Sequence, residues 1–348
     1  MEKLKFEEKE NIWMQRALEL ALLGQGRVSP NPMVGCVIVH QGQIIGEGWH
    51  QRYGAAHAEV KALEQVQNPG LLPEATVYVN LEPCAHFGKT PPCADRLIRE
   101  RVKRVVVANT DPNPLVAGKG LARLQAAGIA VGQGLEAAEG RKLNRRFFTF
   151  FEKQRPYIIL KWAETADGYL ARLNYDSKWI SNALARTFVH KWRAEEDAVL
   201  IGPNTAFYDN PQLTVRDWEG PSPLRVVVDR QGRLPAHLHL WNGKAPTLVY
   251  TQNPVLQIPG AEVVCLPKED FLPALLHNLY ERRVQSLLIE GGAALLQTFL
   301  QAGYWDEARR IQSPQVFGAG IAAPHLPGAW TYHREWEGDQ AYFYFAEK

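Results

Sequence analysis

The chain has 348 residues, 46% hydrophobic and 22% charged, with a net charge of +2 at neutral pH. Its length and apolar content suit two domains with a core each, no apolar run approaches membrane-span length, and the charge balance by itself argues neither for nor against nucleic acid. The charged start from Met1 to Glu8 lacks the apolar stretch of a signal peptide, and four cysteines suit a reducing compartment, so a cytoplasmic protein with no membrane partner is expected.

Residues 9–24 have the apolar spacing of an amphipathic helix, broken by Pro30-Asn31-Pro32. Strands over Val34 to Val39 and Ile44 to His50 flank a His40-Gln41-Gly42-Gln43 turn. A helix over 57–66, a strand over 75–80, a helix over 93–100, a strand over 105–108 and a helix over 117–127 follow. The alternation predicts a three-layer αβα domain over residues 1–145. Cys36 and Cys265 sit in apolar, strand-like runs and read as core residues. Residues 141–156, with Arg141, Lys142, Arg145, Arg146 and a Phe cluster, read as a solvated connector, although the basic group could contact a phosphate.

The first domain carries its chemistry in His57-Ala58-Glu59, Pro83-Cys84 and Pro91-Pro92-Cys93. One histidine and two thiolates can hold Zn²⁺ with a fourth position open, and a nearby glutamate that is not a ligand can move protons. This is the logic of zinc deaminases, whose signature is H-x-E followed by P-C-x-x-C. Here eight residues separate the cysteines, so the second ligand must return across a loop. Cys93 follows two prolines and opens a helix, which favours its thiolate. The expected roles are His57, Cys84 and Cys93 as ligands and Glu59 as the catalytic proton carrier. Any one of these residues alone reads more simply as a buried thiol or a surface group, and a closed structural zinc site would need His86 as its fourth ligand.

A second α/β pattern fills residues 146–348: a strand at 157–162, a helix over 182–194, strands at 198–202, 224–229 and 247–250, and a strand at 284–290 running through Gly291-Gly292 into a helix over 293–302. Continuous apolar strands between helices predict a mostly parallel sheet covered on both faces. The Gly291-Gly292 turn reads equally as a phosphate site at a helix N-terminus or as a tight turn. No usable G-x-G-x-x-G fingerprint is present, since Gly318 to Ala323 has no room for a βαβ unit.

Over about residues 10–320 the chain resembles the RibD family of bifunctional riboflavin-biosynthesis deaminase/reductases. The resemblance is carried in the first domain by Pro30 to Cys36, Gly46 to His50, His57 to Val60, Leu81 to Cys84, Thr90 to Cys93 and Asp111 to Pro114. In the second it is carried by Lys161 to Ala163, Ser177 to Ser181, Arg193-Ala194, Asp209 to Arg216 and Glu290 to Gly292. It implies a cytidine-deaminase-like domain followed by a dihydrofolate-reductase-like one. The first would deaminate a phosphoribosylaminopyrimidine, and the second would reduce the ribosyl group of the product with NADPH. It also implies that Asn31, His50, His86, Lys89, Asp111 and Asn113 line the deaminase pocket, with Lys89 suited to a phosphate. Ser177, Arg193, Leu213, Arg216 and Glu290 fall on reductase substrate positions, and Ala163, Trp179, Thr205, Asp209 and Gly292 on cofactor positions. Lys161, expected across the site from Glu290, is read as the group that polarises or protonates the opened sugar. The plainer readings make Trp179 a core aromatic and Arg193 a solvated helix charge. Arg230 is expected either to meet the 2′-phosphate of NADPH or to be exposed. Arg309 to Ser313 replaces an apolar strand usual in the family, which leaves the C-terminal sheet edge unassigned by the sequence.

The expected partner is a small pyrimidine ribonucleotide and not a nucleic acid, and a homo-oligomer, dimer or tetramer, is expected. Two rival readings are a deaminase acting on a nucleic-acid base and a deaminase whose second domain is inactive.

Overall fold

The structure is a computed structural model, and it describes residues 6, 8–86, 91–326 and 328–346. The chain divides into two compact units, the first ending at Lys153 and the second starting at Gln154.

The first unit runs α1 (Glu8–Leu22), β1 (Gly35–His40), β2 (Gln43–Trp49), α2 (Ala58–Glu64), β3 (Thr76–Leu81), α3 (Cys93–Arg99), β4 (Arg104–Asn109), α4 (Lys119–Ala126), β5 (Ala130–Gln133), α5 (Ala137–Leu143) and α6 (Arg145–Lys153). Its sheet has the order β2-β1-β3-β4-β5, antiparallel from β2 to β3 and parallel from β3 to β5. The alternation of strand side chains builds both cores. Cys36, Ile38, Val77 and Val79 face Ala62, Leu97 and Leu124 of the helices on one side. Val37, Val39, Tyr78 and Val106 face Met14, Ala17 and Leu20 of α1 on the other. This is the expected three-layer arrangement.

Residues 141–156 are not a solvated connector. They form the end of α5 and α6, where Phe147 and Phe148 are buried against Leu81. That packing draws α6 into the first unit, beyond the expected division at 145.

The second unit runs β6 (Tyr157–Glu164), β7 (Tyr169–Ala171), α7 (Ala183–Glu195), β8 (Ala198–Ile201), α8 (Pro203–Asp209), β9 (Leu224–Val228), β10 (Thr247–Thr251), β11 (Glu262–Cys265), α9 (Phe271–Glu281), β12 (Ser286–Ile289), α10 (Ala293–Gln301), β13 (Glu307–Gln312), β14 (Ile321–Ala322), β15 (Tyr332–Trp336) and β16 (Asp339–Phe345). The main sheet has the order β11-β10-β9-β8-β12-β6-β13-β16-β15 and is parallel up to β13, after which β16 and β15 run antiparallel. Leu275, Leu279, Leu296 and Phe299 of α9 and α10 cover one face. Ala185, Val189 and Trp192 of α7 pack on the other.

One expectation fails here. Cys265 is exposed, at the end of β11, the edge strand of the sheet. The unsettled segment at Arg309 is placed: β13 is an interior strand, paired to β6 and β16. Its charge is accommodated by partners, since Arg309 Nε donates to Glu307 Oε1 at 2.7 Å and Nη2 to Glu196 Oε1 at 3.4 Å. Among the described residues no helix is long and apolar enough to cross a membrane.

Candidate active sites

In the first unit the site is built on the close approach of α2 to β2. A β-carbon at Gly48 would lie 2.6 Å from Ala62 N, and one at Gly46 would lie 2.3 Å from Ala62 O, so only glycine lets the helix settle on this strand. That contact sets the start of α2. His57 is its N-cap residue in extended conformation and makes no capping hydrogen bond, which leaves the ring free to turn towards the cysteines. Its Nδ1 lies 3.6 Å from Cys84 Sγ and 3.3 Å from Cys93 Sγ.

Cys84 is tied to the start of α3. Cys93 N–H donates to Cys84 Sγ at 3.3 Å, and Ala94 N–H donates to Cys84 O at 3.1 Å. The three ligand atoms lie within 4.8 Å of one another. Tetrahedral Zn²⁺ with bonds of about 2.3 Å to sulfur and about 2.0 Å to nitrogen would hold N and S about 3.5 Å apart. The observed separations therefore fit zinc without rearrangement. Among the described residues the cluster has three members, and His86, which is exposed, is not a fourth.

Without a metal the electrostatics favour a thiolate at Cys84 and oppose one at Cys93, against the helix-start expectation. The hydrogen bond with Cys93, then that with His57, pulls the Cys84 thiol well below its usual range, while the same bond and burial push Cys93 up. A bound dication would favour both thiolates. Glu59 sits in the first turn of α2, 3% exposed, and burial raises its carboxyl above the ordinary range.

His50, buried at the end of β2, lies edge-on to His57 with ring centroids 5.5 Å apart. Its Nδ1–H donates to Ala56 O at 3.1 Å, since a carbonyl only accepts, and its Nε2 then accepts from Asn31 Nδ2 at 3.0 Å. Asp111 is buried, accepts from Asn113 N–H at 2.8 Å, and is pushed up to about 7, first by burial and then by the charges of Glu82 and Cys84. Lys89 lies outside the described residues.

Three supporting residues escaped the sequence reading. Asn80 and Asn144 clamp Met33, two residues from Asn31: Met33 N–H donates to Asn144 Oδ1 at 2.8 Å, and Met33 O accepts from Asn80 Nδ2 at 3.0 Å. Glu82 accepts four backbone N–H groups, from Asp111, Gly118, Gly120 and Leu121. The available signal was a polar residue at the end of an apolar strand, Tyr78-Val79-Asn80-Leu81-Glu82.

In the second unit a cavity of about 820 Å³ opens at the carboxyl ends of the parallel strands. It gathers Lys161 and every residue expected at a substrate or cofactor position of the reductase, but not Arg230. Lys161 and Ala163 come from β6, Ser177 and Trp179 from the loop after β7, and Arg193 from α7. Thr205 and Asp209 come from α8, Leu213 and Arg216 from the segment after it, and Glu290 and Gly292 from the turn between β12 and α10.

Trp179 is 67% exposed at the cavity and is not a core aromatic. Arg193 is not a solvated charge either: its Nε and Nη2 donate to the two carboxylate oxygens of Glu290 at 2.5 and 2.9 Å. Lys161 Nζ donates to the same carboxylate at 3.3 Å, so it stands beside Glu290 and not across the site from it. Burial alone would raise the Glu290 carboxyl, but the Arg193 and Lys161 charges outweigh it and hold the pKa at about 2. Ser177 Oγ donates to Asp209 Oδ1 at 2.9 Å, and burial raises Asp209. Arg230 lies outside the cavity lining, exposed, with its guanidinium 4.9 Å from the Phe271 ring centroid.

Residues 7–109 match the family described as the cytidine and deoxycytidylate deaminase zinc-binding region, and residues 156–331 match the RibD C-terminal domain. Fold and sites together define a two-module enzyme, a zinc-type deaminase followed by a reductase of dihydrofolate-reductase-like fold. The riboflavin biosynthesis protein RibD of Aquifex aeolicus (strain VF5) is 43% identical over 321 residues, covering 90% of this chain and 89% of its own length. RibD of Escherichia coli (strain K12) is 39% identical over 329 residues, 89% of each chain. The Thermotoga maritima diaminohydroxyphosphoribosylaminopyrimidine deaminase/5-amino-6-(5-phosphoribosylamino)uracil reductase superposes with a TM-score of 0.88 at 38% identity, covering 96% of this chain and 98% of its own. Acinetobacter baumannii RibD gives a TM-score of 0.88 at 37% identity, with 98% and 99% covered. The chain belongs to the RibD family of bifunctional deaminase/reductases of riboflavin biosynthesis.

Proposed function

We propose that the first unit hydrolytically deaminates 2,5-diamino-6-(5-phosphoribosylamino)pyrimidin-4(3H)-one, and that the second reduces the ribosyl group of the product with NADPH to give 5-amino-6-(5-phosphoribitylamino)uracil, matching the two activities named for the Thermotoga maritima relative. The observation that carries the first half is the His57–Cys84–Cys93 cluster with the buried Glu59 beginning the adjoining helix. Zinc at these ligands supplies the Lewis acidity that makes water a nucleophile near neutral pH. Glu59, with its raised pKa, takes the water proton, passes it to the ring nitrogen and then serves the departing ammonia. Asn31, held by His50, and Asp111 with Asn113 border the pyrimidine, with His86 in the same pocket.

In the reductase NADPH supplies the hydride. Gly292 at the start of α10, with Ala163, Trp179, Thr205 and Asp209, would border the cofactor, and the main-chain N–H groups of that helix end would suit its phosphates. Ser177, Arg193, Leu213 and Arg216 border the phosphorylated substrate. Lys161, fixed by Glu290, delivers the proton that accompanies reduction of the opened sugar.

The deciding variant is Glu59→Gln, which keeps the shape of the side chain and removes its proton transfer. It should retain one zinc per chain, lose at least ~10²-fold in deamination, and still reduce the pre-formed deaminated nucleotide. Deamination at the wild-type rate would remove Glu59 from this role.

A further inference from the structure

We propose that His190 is a positioning residue of the reductase, holding the Arg216 backbone so that this arginine stays in the cavity wall to meet the substrate phosphate. The inference rests on the assignment of Arg216 to substrate.

His190 lies on α7, one turn before Arg193, and is 5% exposed. It borders the same cavity as Arg193 and Arg216. Both ring nitrogens are engaged. Arg216 N–H donates to Nδ1 at 3.3 Å, and Nε2 lies 3.3 Å from Asp217 Oδ2. A backbone N–H can only donate, so Nδ1 carries no proton and the ring is the Nε2–H tautomer, with that hydrogen directed at Asp217. Burial, then the Arg193 charge, lowers the imidazole pKa, with a further contribution from Arg216 and against the opposing pull of Asp217 and Glu290.

The segment that carries Arg216 has no helix or strand between α8 and β9, so its course depends on contacts of this kind. Further contacts of the segment with α7 include Lys191 over the Trp218 ring, 5.4 Å from the centroid, and the close approach of Gly220, where a β-carbon would lie 2.7 Å from Ala194 Cβ. Those two lie beyond Arg216. The His190 bond falls on Arg216 itself, from the buried side. A histidine that was merely a satisfied core residue would have no reason to spend its one acceptor on the main chain of a cavity arginine.

The two amide variants separate the two ring nitrogens. Asparagine can place a carbonyl oxygen near the Nδ1 position, whereas glutamine places its amide near Nε2, where it serves Asp217 and leaves Arg216 N–H unpaired. In the full-length zinc-loaded chain, with pre-formed 5-amino-6-(5-phosphoribosylamino)uracil and NADPH, His190→Gln and His190→Phe should raise the KM for the nucleotide about tenfold, the scale of one hydrogen bond serving a charged contact. The kcat and the KM for NADPH should move little, and His190→Asn should recover most of the wild-type nucleotide KM. Equal KM values for Asn, Gln and Phe, or a fall confined to kcat, would overturn the proposal. Arg216→Ala serves as the control. If it leaves the nucleotide KM unchanged, the assignment of Arg216 has failed. If it raises KM while the His190 variants do not, the positioning role alone has failed.

Discussion

Glu82→Gln tests how the deaminase site is held together. The carboxylate is 4% exposed and is satisfied by main-chain donors. Gly120 N–H and Leu121 N–H reach Oε1 at 2.9 and 3.3 Å, and Gly118 N–H and Asp111 N–H reach Oε2 at 2.9 and 3.3 Å. It therefore ties the start of α4 and the loop bearing Asp111 and Asn113 to the segment that continues into Cys84. Glutamine keeps the shape but has one acceptor oxygen, so in either orientation two of the four donors face an NH₂ group. Each orphaned buried donor costs about 1–3 kcal/mol, which gives roughly 2–6 kcal/mol for the pair with no cavity to add. At about 2–4 °C per kcal/mol for a domain of this size, the unfolding transition of the first unit should fall by roughly 4–24 °C. Scanning calorimetry of the zinc-loaded protein measures this directly, and the transition of the second unit should stay where it was. A first-unit transition within about 1 °C of wild type would show that water or rearrangement replaces these bonds, and the anchoring role would be refuted.

Two further perturbations address the reductase. At Gly292 a β-carbon would meet nothing nearer than Thr205 Oγ1 at 3.5 Å, so the fold tolerates a side chain there and the cavity receives it. Gly292→Val should weaken NADPH binding about tenfold or more by fluorescence titration while leaving deamination intact, and normal binding would move the phosphate site elsewhere. Glu290→Gln leaves Arg193 and Lys161 as buried cations without their carboxylate, which should destabilise the second unit by about 3–5 kcal/mol and impair reduction. A carboxyl held at about 2 in the folded protein stabilises fully above its unfolded value of about 4.3 and loses that contribution as pH falls towards 2. Denaturant titrations should therefore show the wild-type advantage over Glu290→Gln intact at about pH 5 and shrinking below about pH 4, and an advantage independent of pH would contradict the ion cluster.

The zinc cluster was legible because metal chemistry restricts residue type and order: a His-x-Glu at a helix start and two Pro-Cys pairs have few other uses in that sequence. What ties Cys84 to the start of α3, the N–H of Cys93 on Cys84 Sγ, depends on backbone geometry that spacing does not encode. Charge was the main source of error in the second unit. Arg309 left the sheet edge unassigned because the sequence shows a charge and not its partners, Glu307 and Glu196. The same blindness made Arg193 look solvated and set Lys161 opposite Glu290, when a single carboxylate gathers both cations. Cys265 failed for the opposite reason: an apolar run tells strand from loop, but not an edge strand from an interior one. His190, a single histidine on an amphipathic helix, gave no signal at all until the main chain of Arg216 was seen against it.

The most direct test supplies the full zinc-loaded chain with 2,5-diamino-6-(5-phosphoribosylamino)pyrimidin-4(3H)-one and NADPH, and follows ammonia release and NADPH absorbance in one reaction. Ammonia should appear first, and NADPH should then be consumed in equal amount, with the ribityl nucleotide as product. Ammonia release with NADPH left intact would leave the second unit without its proposed activity, and no ammonia from the zinc-loaded chain would contradict the deaminase reading itself.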